Sequence, residues 1–211
     1  MNHNEYVKEL TNKLHDKFFS SVTEEKAMER FNHSLGVKDM AIRLATIYKP
    51  NDISFKEKAE IAGLLHDYAK FLTEEDYNRL TKKYHIDFSY DKDYERVYHG
   101  YYGYLALIDE LDIHDEEILN AVKNHIMGQE NMSLLEEIIY VGDLIEMGRK
   151  EEDIPILHDL RELALNGKLK EAVAFEAKHV VSHLIRKNIP VSVKSLECYN
   201  GYVKYLKKGD F

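Results

Sequence analysis

Apolar residues along this chain recur at the three- and four-residue spacing of amphipathic helices. The stretch that carries Met28, Phe31 and Leu35 shows this spacing and ends before Pro50. Strong helix formers fill the long stretches between three prolines and ten glycines, and we find no convincing two-residue alternation of a strand. The pattern therefore predicts an all-α protein, with helices at about 4–18, 24–48, 55–70, 74–84, 98–111, 115–127, 134–147, 156–166, 168–187 and 194–207.

Capping-box sequences predict where several of these helices begin. A serine followed three residues later by glutamate occurs at Ser21, Ser54 and Ser133, and Thr73 with Asp76 is a weaker version. No repeat, low-complexity tract or linker interrupts the chain. We therefore expect a single domain over residues 1–211, with a core at about 20–150 and a helical C-terminal extension at about 151–211.

Composition and charge exclude several classes of protein. No run of 18 apolar residues is present, which predicts no membrane span, and the first residues lack the pattern of a signal peptide. Cys198 is the single cysteine and cannot form an internal disulfide, so we expect a cytoplasmic protein. A formal charge of −9 argues against a nucleic-acid binder, although a metal ion and a few cations could still attract a nucleotide.

Most of the eleven histidines have a structural explanation. His179 and His183 have the i, i+4 spacing of a metalloprotease helix, but Val180 stands where such a helix needs a general base. We therefore interpret this pair as part of an amphipathic packing helix. Five other histidines lie among polar neighbours and are expected to face solvent: His3, His15, His85, His114 and His158.

The adjacent pair His66 and Asp67 stands out because it follows the apolar helix interior 61–65, where both side chains are costly to bury. Lys70 shares their helix face, at four and three residues' distance. A buried internal ion pair would explain this pair as well as a metal site would. The choice therefore depends on further residues.

His33 and Asp143 are those further residues. His33 lies inside an earlier predicted helix, and Asp143 follows the apolar run 138–142. Two imidazoles and two carboxylates suit a divalent transition metal in a mixed nitrogen and oxygen site. Because such a set leaves coordination positions open for water and substrate, it indicates a catalytic rather than a structural metal.

The order His33, His66-Asp67, Asp143 resembles the HD hydrolase superfamily. One branch is especially similar, the YqeK family of bacterial symmetrical diadenosine tetraphosphate hydrolases, over roughly residues 20–185. The similarity is carried by the segments RFNHSLGV at 30–37, GLLHDYAK at 63–70 and DLIEMGR at 143–149, of which the second is the most discriminating. The resemblance implies an HD-domain helical bundle with a metal site in its core.

The resemblance also implies the cofactor and the site residues. Iron is the implied metal, with one or two ions and other divalent transition metals left open, and its ligands would be His33, His66, Asp67 and Asp143. The implied substrate contacts are His33, Asp67, Lys70, His99, His125, Ile126, Asp143 and Arg149, and the implied catalytic residues are Asp67, Lys70, His99, His125 and Arg149. A homodimer is implied by resemblance alone.

Two positions depart from the family's usual pattern. Ile126 replaces a hydroxyl residue after His125, and Met147 replaces a proline between Glu146 and Gly148. Neither change removes an implied ligand, because a backbone contact at 126 and a turn at 147 need no particular side chain. We expect these changes to affect substrate preference rather than the reaction.

The expected reaction is the hydrolysis of diadenosine tetraphosphate to two ADP molecules, with Lys70 and Arg149 neutralising the developing charge. His99 and His125 could bind phosphates, protonate the leaving group or hold a second metal with Asp67 bridging, and the sequence does not choose among these roles. Two alternatives are another HD-type phosphohydrolase acting on nucleotides or cyclic nucleotides, and a non-catalytic sensor of nucleotide or metal. The presence of both cations favours turnover.

Overall fold

The computed structural model describes residues 2–89, 91 and 94–207, and every regular element among them is helical. The helices are α1 His3–Ser21, α2 Glu24–Tyr48, α3 Ile53–Leu65, α4 Glu74–Lys83, α5 Glu95–Tyr101, α6 Tyr104–Leu111, α7 Glu116–Asn124, α8 Leu134–Ile145, α9 Leu157–Leu165, α10 Leu169–Arg186 and α11 Val193–Tyr202. A short 3-10 helix, Val203–Tyr205, follows. The predicted all-α class is confirmed.

One predicted helix is divided in the structure, and another ends before its predicted end. The helix predicted at about 98–111 is two helices, α5 and α6, with a break at Gly103. A Cβ atom at Gly103 would lie 1.8 Å from the carbonyl oxygen of His99, so only glycine permits this close approach. The helix predicted at about 55–70 ends at Leu65 and continues as turns, in which the Lys70 amide donates to the Asp67 carbonyl at 2.8 Å.

Two of the four predicted capping boxes are confirmed, and the other two are wrong. Ser133 with Glu136 begins α8 and Thr73 with Asp76 begins α4, each with both reciprocal hydrogen bonds. Ser21 is instead the last residue of α1, and Ser54 lies inside α3. Asp52 caps α3 in its place, since its carboxylate accepts from the Phe55 amide at 2.9 Å.

The core is built around α2, α3 and α8, which pack against one another. Their apolar faces meet at fully buried side chains such as Leu44, Leu64 and Ile138. Helix α7 packs against α3 and α8 on one side, and α10 packs against α8, α9 and α11 on the other. Among the residues that the structure describes, no helix is both long and apolar enough to cross a membrane.

Candidate active site

The predicted site residues come from five helices that meet in the core. His33 lies in the middle of α2, and Asp143 lies near the end of α8. His66 and His125 are the C-cap residues of α3 and α7, and His99 lies in the short helix α5. Because α2, α3, α7 and α8 pack together, residues far apart in sequence converge at one place.

The four predicted metal ligands lie around one point. His33 Nε2 is 2.9 Å from Asp143 Oδ1, 3.2 Å from His66 Nε2 and 3.9 Å from Asp67 Oδ2. His66 Nε2 is 3.4 Å from Asp67 Oδ2 and 3.7 Å from Asp143 Oδ1. His33, His66 and Asp67 are all buried, and Asp143 keeps 27 % of its side chain exposed.

The hydrogen bonds of the three central histidines decide which ring nitrogen is free. His66 Nδ1 lies 2.8 Å from the Gly63 carbonyl, and His125 Nδ1 lies 2.7 Å from the Val122 carbonyl, each one helical turn back. A carbonyl oxygen only accepts, so each Nδ1 is the donor. His33 Nδ1 lies 3.3 Å from the Glu146 carboxylate and donates in the same way. In this tautomer Nε2 of His66 and of His125 carries a lone pair directed into the cluster, and His33 Nε2 gains one when the ring loses the proton it shares with Asp143.

A second group shares Asp67 with the first. Asp67 Oδ1 lies 3.0 Å from His99 Nε2 and 3.7 Å from His125 Nε2, on the side opposite to Oδ2. The Lys70 ammonium donates to His99 Nε2 at 2.9 Å and lies 3.8 Å from Asp67 Oδ1. His125 Nε2 is buried and has no hydrogen-bond partner in the described part of the chain. Asp67 therefore stands between two groups of ligand atoms.

Burial and neighbouring charges set the pKa values of these groups. Burial lowers the pKa of His66 and lowers that of His99 to about 4, so both rings are neutral near pH 7. Burial would raise the pKa of Asp67, but the surrounding imidazoles, His66 first, hold it well below its usual range. The pKa of His33 is raised despite burial, because hydrogen bonds to Asp143 and Glu146 favour the imidazolium.

These observations fit a divalent cation. The atoms that face each other are lone-pair nitrogens and ionised carboxylate oxygens, which attract one another only through a shared proton or a metal ion. Two helices, α3 and α7, direct their C-terminal ends at this place through His66 and His125, and the negative end of a helix dipole favours a cation. His33, His66 and Asp67 form one set with metal-ligand spacing, and Asp67, His99 and His125 form another. A third set, His66, His125 and Asp143, joins the two.

The remaining predicted residues lie at the edge of the cluster. Arg149 Nη2 is 3.5 Å from Asp143 Oδ1, and the side chains of Arg149 and Lys70 keep 34 % and 29 % of their surface exposed. The turn before Arg149 forms without the family's proline, since the Arg149 amide donates to the Glu146 carbonyl at 3.1 Å. Ile126 lines a largely apolar cleft with Val97, and none of the proposed metal ligands borders that cleft.

The other histidines take no part in this site. His179 and His183 stack on each other with ring centroids 6.2 Å apart, and neither belongs to a group with metal-ligand spacing among the described residues. His85, His114 and His158 are exposed as expected, whereas His15 is half-buried and stacks on Phe19 with ring centroids 4.1 Å apart. His3 differs from the expectation, because it is only 22 % exposed and hydrogen-bonds to Glu60 at 2.8 Å.

Two residues of the site, Arg30 and Glu146, lie in the motifs that carry the family resemblance but had no predicted role. Glu146 is 4 % exposed and orients His33, and the signal for it was its position three residues after Asp143 on the same helix face. Arg30 Nη1 donates to Asp67 Oδ2 at 2.8 Å, and it lies one helical turn before His33. Helical spacing from a proposed ligand could have identified both.

Comparison with known proteins agrees with this geometry. The HD domain family matches residues 30–148, which contain all four proposed metal ligands. The symmetrical bis(5'-nucleosyl)-tetraphosphatase of Staphylococcus aureus is 37 % identical over 86 % of this chain and 91 % of its own length. The protein of the same name from Bacillus subtilis is 30 % identical over 89 % of this chain and 97 % of its own.

A solved structure supports the same assignment. A protein from Clostridium acetobutylicum, described as a predicted HD superfamily hydrolase involved in NAD metabolism, superposes with a TM-score of 0.76 at 33 % identity. The superposition covers 92 % of this chain and 97 % of that one. The chain therefore belongs to the HD-domain family and, within it, to the family of symmetrical bis(5'-nucleosyl)-tetraphosphatases.

Proposed function

We propose that this protein hydrolyses diadenosine tetraphosphate symmetrically, giving two ADP molecules. The observation that carries the proposal is a largely buried set of metal-ligating atoms bordered by partly exposed cationic side chains, among them Lys70 and Arg149. A polyphosphate is the kind of substrate that a metal ion flanked by cations attracts. The names of the relatives give the substrate and the position of cleavage.

We infer that His33, His66, Asp67 and Asp143 hold an iron ion. Two imidazoles and two carboxylates suit a divalent transition metal, and the resemblance to the family favours iron among these metals. Such an ion acts as a Lewis acid and makes a water molecule acidic enough to supply a nucleophile near neutral pH.

The chain's own residues bind and orient the phosphates. Lys70 and Arg149 neutralise charge that grows on the phosphate oxygens, Lys70 as a point charge and Arg149 through its planar guanidinium. Both side chains are partly exposed and lie within 4 Å of a proposed ligand carboxylate, so each can turn toward a substrate without leaving the site.

For His99 and His125 we propose a second cation site, shared through Asp67 Oδ1. The unpartnered Nε2 of His125 supports this choice over a phosphate contact, since a neutral ring whose Nδ1 is the donor cannot donate from Nε2. Elemental analysis of the loaded protein should then find two metal ions per chain. His125→Ala should lower that number to one, whereas a phosphate-binding role would leave it unchanged.

The experiment that tests the reaction is product analysis with purified, ferrous-loaded protein. ADP alone should form from diadenosine tetraphosphate, and in oxygen-18 water the label should appear in the terminal phosphate of half of that ADP. Formation of AMP and ATP would show that the cleavage position is wrong. No turnover of this substrate beside fast hydrolysis of a cyclic nucleotide would favour the alternative enzyme, and binding without any turnover would favour a sensor.

Oligomeric state and domain organisation stay predictions. The homodimer implied by the resemblance is tested by light scattering of the purified protein at several concentrations. The proposed division into a core at about 20–150 and an extension at about 151–211 is tested by limited proteolysis, which should cut first in the turn region around 150–156.

A further inference from the structure

The open side of the site is bordered by three cations, one of which has no role so far. Arg30, Lys70 and Arg149 keep 24 %, 29 % and 34 % of their side chains exposed, whereas the histidines of the cluster keep 8 % or less. These three cations are therefore the charged groups of the site that a substrate can reach from solvent. A dinucleoside tetraphosphate, with two ADP halves, carries more negative charge on its phosphates than Lys70 and Arg149 alone would neutralise.

Arg30 and Lys70 lie on opposite sides of Asp67. Arg30 Nη1 donates to Oδ2 of this carboxylate at 2.8 Å, and Lys70 Nζ lies 3.8 Å from Oδ1. Oδ2 lies nearest to the Nε2 atoms of His33 and His66, and Oδ1 lies nearest to those of His99 and His125. A chain of four phosphates that spans the cluster would consequently meet Lys70 on one side of Asp67 and Arg30 on the other.

Most of the hydrogen-bonding capacity of Arg30 is unused. A guanidinium has five N–H donors, and in the described residues only Nη1 makes a hydrogen bond, the one to Asp67. A metal ion bound to Oδ2 would neutralise the carboxylate charge of Asp67 that now attracts Arg30. The planar guanidinium would then be free to bind phosphate oxygens with two parallel hydrogen bonds.

Arg30 also lines a polar cleft with the size of a small ligand site. The cleft has a volume of about 300 Å³ and is bordered by Glu29, Arg30, Asn32, His33, Glu146, Gly148 and Arg149. Its buried carboxylate, Glu146, already accepts hydrogen bonds from His33 and from the Gly148 amide. Glu146 therefore repels a phosphate less than an unpartnered carboxylate would. Glu29, the other carboxylate of the cleft, is exposed to solvent that screens its charge, so the two arginines dominate what a bound anion meets.

We propose that Arg30 binds the phosphates of the second ADP half, the half that lies across Asp67 from Lys70. This inference rests on the proposed function, and it places Arg30 and Arg149, which line one cleft, on one half of a symmetrical substrate and Lys70 on the other. Arg30 thereby distinguishes a dinucleoside tetraphosphate, which spans both sides, from ADP, which needs only the Lys70 side.

The test compares binding of two ligands by calorimetry to protein loaded with metal. One ligand is ADP, and the other is a diadenosine tetraphosphate analogue whose central bridging oxygen is replaced by methylene, so that it is not cleaved. Arg30→Ala should weaken the analogue on the order of 10- to 100-fold, the range for a hydrogen bond to a charged group. Its affinity for ADP should stay within about twofold, since ADP lacks the half that Arg30 holds.

Two control variants separate phosphate binding from a structural role. Arg43 is exposed on the same helix, so Arg43→Ala should change neither affinity. Arg30→Lys keeps the charge beside Asp67 without the planar fork and should recover part of the analogue's affinity. The metal content of both Arg30 variants should equal that of the wild type.

Three results would overturn the proposal. Unchanged analogue binding in Arg30→Ala would leave Arg30 as a salt-bridge partner only. An equal loss for ADP and the analogue would place Arg30 on the same half as Lys70. Loss of metal in both Arg30 variants would mean that Arg30 acts by holding Asp67. Failure of the proposed function is distinct, because the wild type itself would then release no ADP from the natural substrate.

Discussion

Glu146 gives the sharpest test of how the metal site is built. Its carboxylate lies 3.3 Å from His33 Nδ1 and is buried, and hydrogen bonds from His33 and the Gly148 amide keep its pKa low although burial opposes this. An ionised carboxylate behind a ligating imidazole fixes the ring and makes Nε2 a stronger ligand. Glu146→Gln preserves the volume of the side chain, removes the charge and leaves one accepting oxygen, which can still accept from His33 Nδ1.

The expected loss of metal affinity in this variant depends on how many carboxylates act on His33. Removing such a supporting group typically lowers metal affinity about 10- to 100-fold, or ~1.4–2.8 kcal/mol. Apart from the opposing effect of burial, Asp143 is the largest influence on the pKa of His33 and Glu146 the next. Since Asp143 remains in the variant, we expect a loss in the lower half of that range, about 10- to 30-fold.

Titration with cobalt in competition with a chromophoric chelator measures this loss. His33 must lose a proton to bind metal, so the affinity of the wild type should rise with pH until the raised pKa of His33 is passed. Glu146→Gln lowers that pKa, and its affinity should level off at a lower pH. Glu29→Gln is the matched control, because Glu29 is exposed in the same cleft. Equal affinities for Glu146→Gln and the wild type would refute the reasoning.

Further variants test the ligands, the cations and the core. Asp143→Ala should lower metal content and activity together, whereas His179→Ala should lower neither, as elemental analysis beside an activity assay would show. Lys70→Ala should lower kcat roughly 100- to 1,000-fold with full metal content, because a protonated ammonium cannot bind a metal. Glu176→Gln should stabilise the fold, since Glu176 is 6 % exposed, its Oε2 lacks a described partner, and burial raises its pKa well above the usual range. A raised acid pKa destabilises the folded state above the unfolded value of about 4.3, so in urea unfolding the gain should grow from pH 5 to 8 by at most ~1.4 kcal/mol per pH unit.

The sequence predicted the parts of the molecule that depend on local pattern. Helical periodicity gave the class and most helix positions, and polar residues after apolar runs indicated His66, Asp67 and Asp143. The break at Gly103 could not be predicted, because it depends on the approach of Gly103 to the His99 carbonyl rather than on the composition of the segment.

The structure added what depends on three-dimensional contacts. The unpartnered Nε2 of His125 and the contact of Arg30 with Asp67 both depend on how α2, α3 and α7 pack. Hydrogen bonds from His66 and His125 to carbonyls one turn back could be expected only once both residues were known to end their helices. Sequence therefore named the ligand set, and packing gave the direction of each ligand atom.

The position of the site at helix ends links metal binding to folding. Neutral imidazole nitrogens and ionised carboxylates are costly to hold together in a core, because burial penalises the charges and the lone pairs repel one another. The C-terminal ends of α3 and α7 add further negative potential at His66 and His125. A bound cation attracts the carboxylates, the nitrogen lone pairs and the negative helix ends, and so offsets these unfavourable contributions. The unfolded chain offers no comparable arrangement of ligands. Metal must therefore stabilise the folded state in proportion to the logarithm of its concentration over its Kd, so the same residues that prepare the chemistry also make folding depend on the ion.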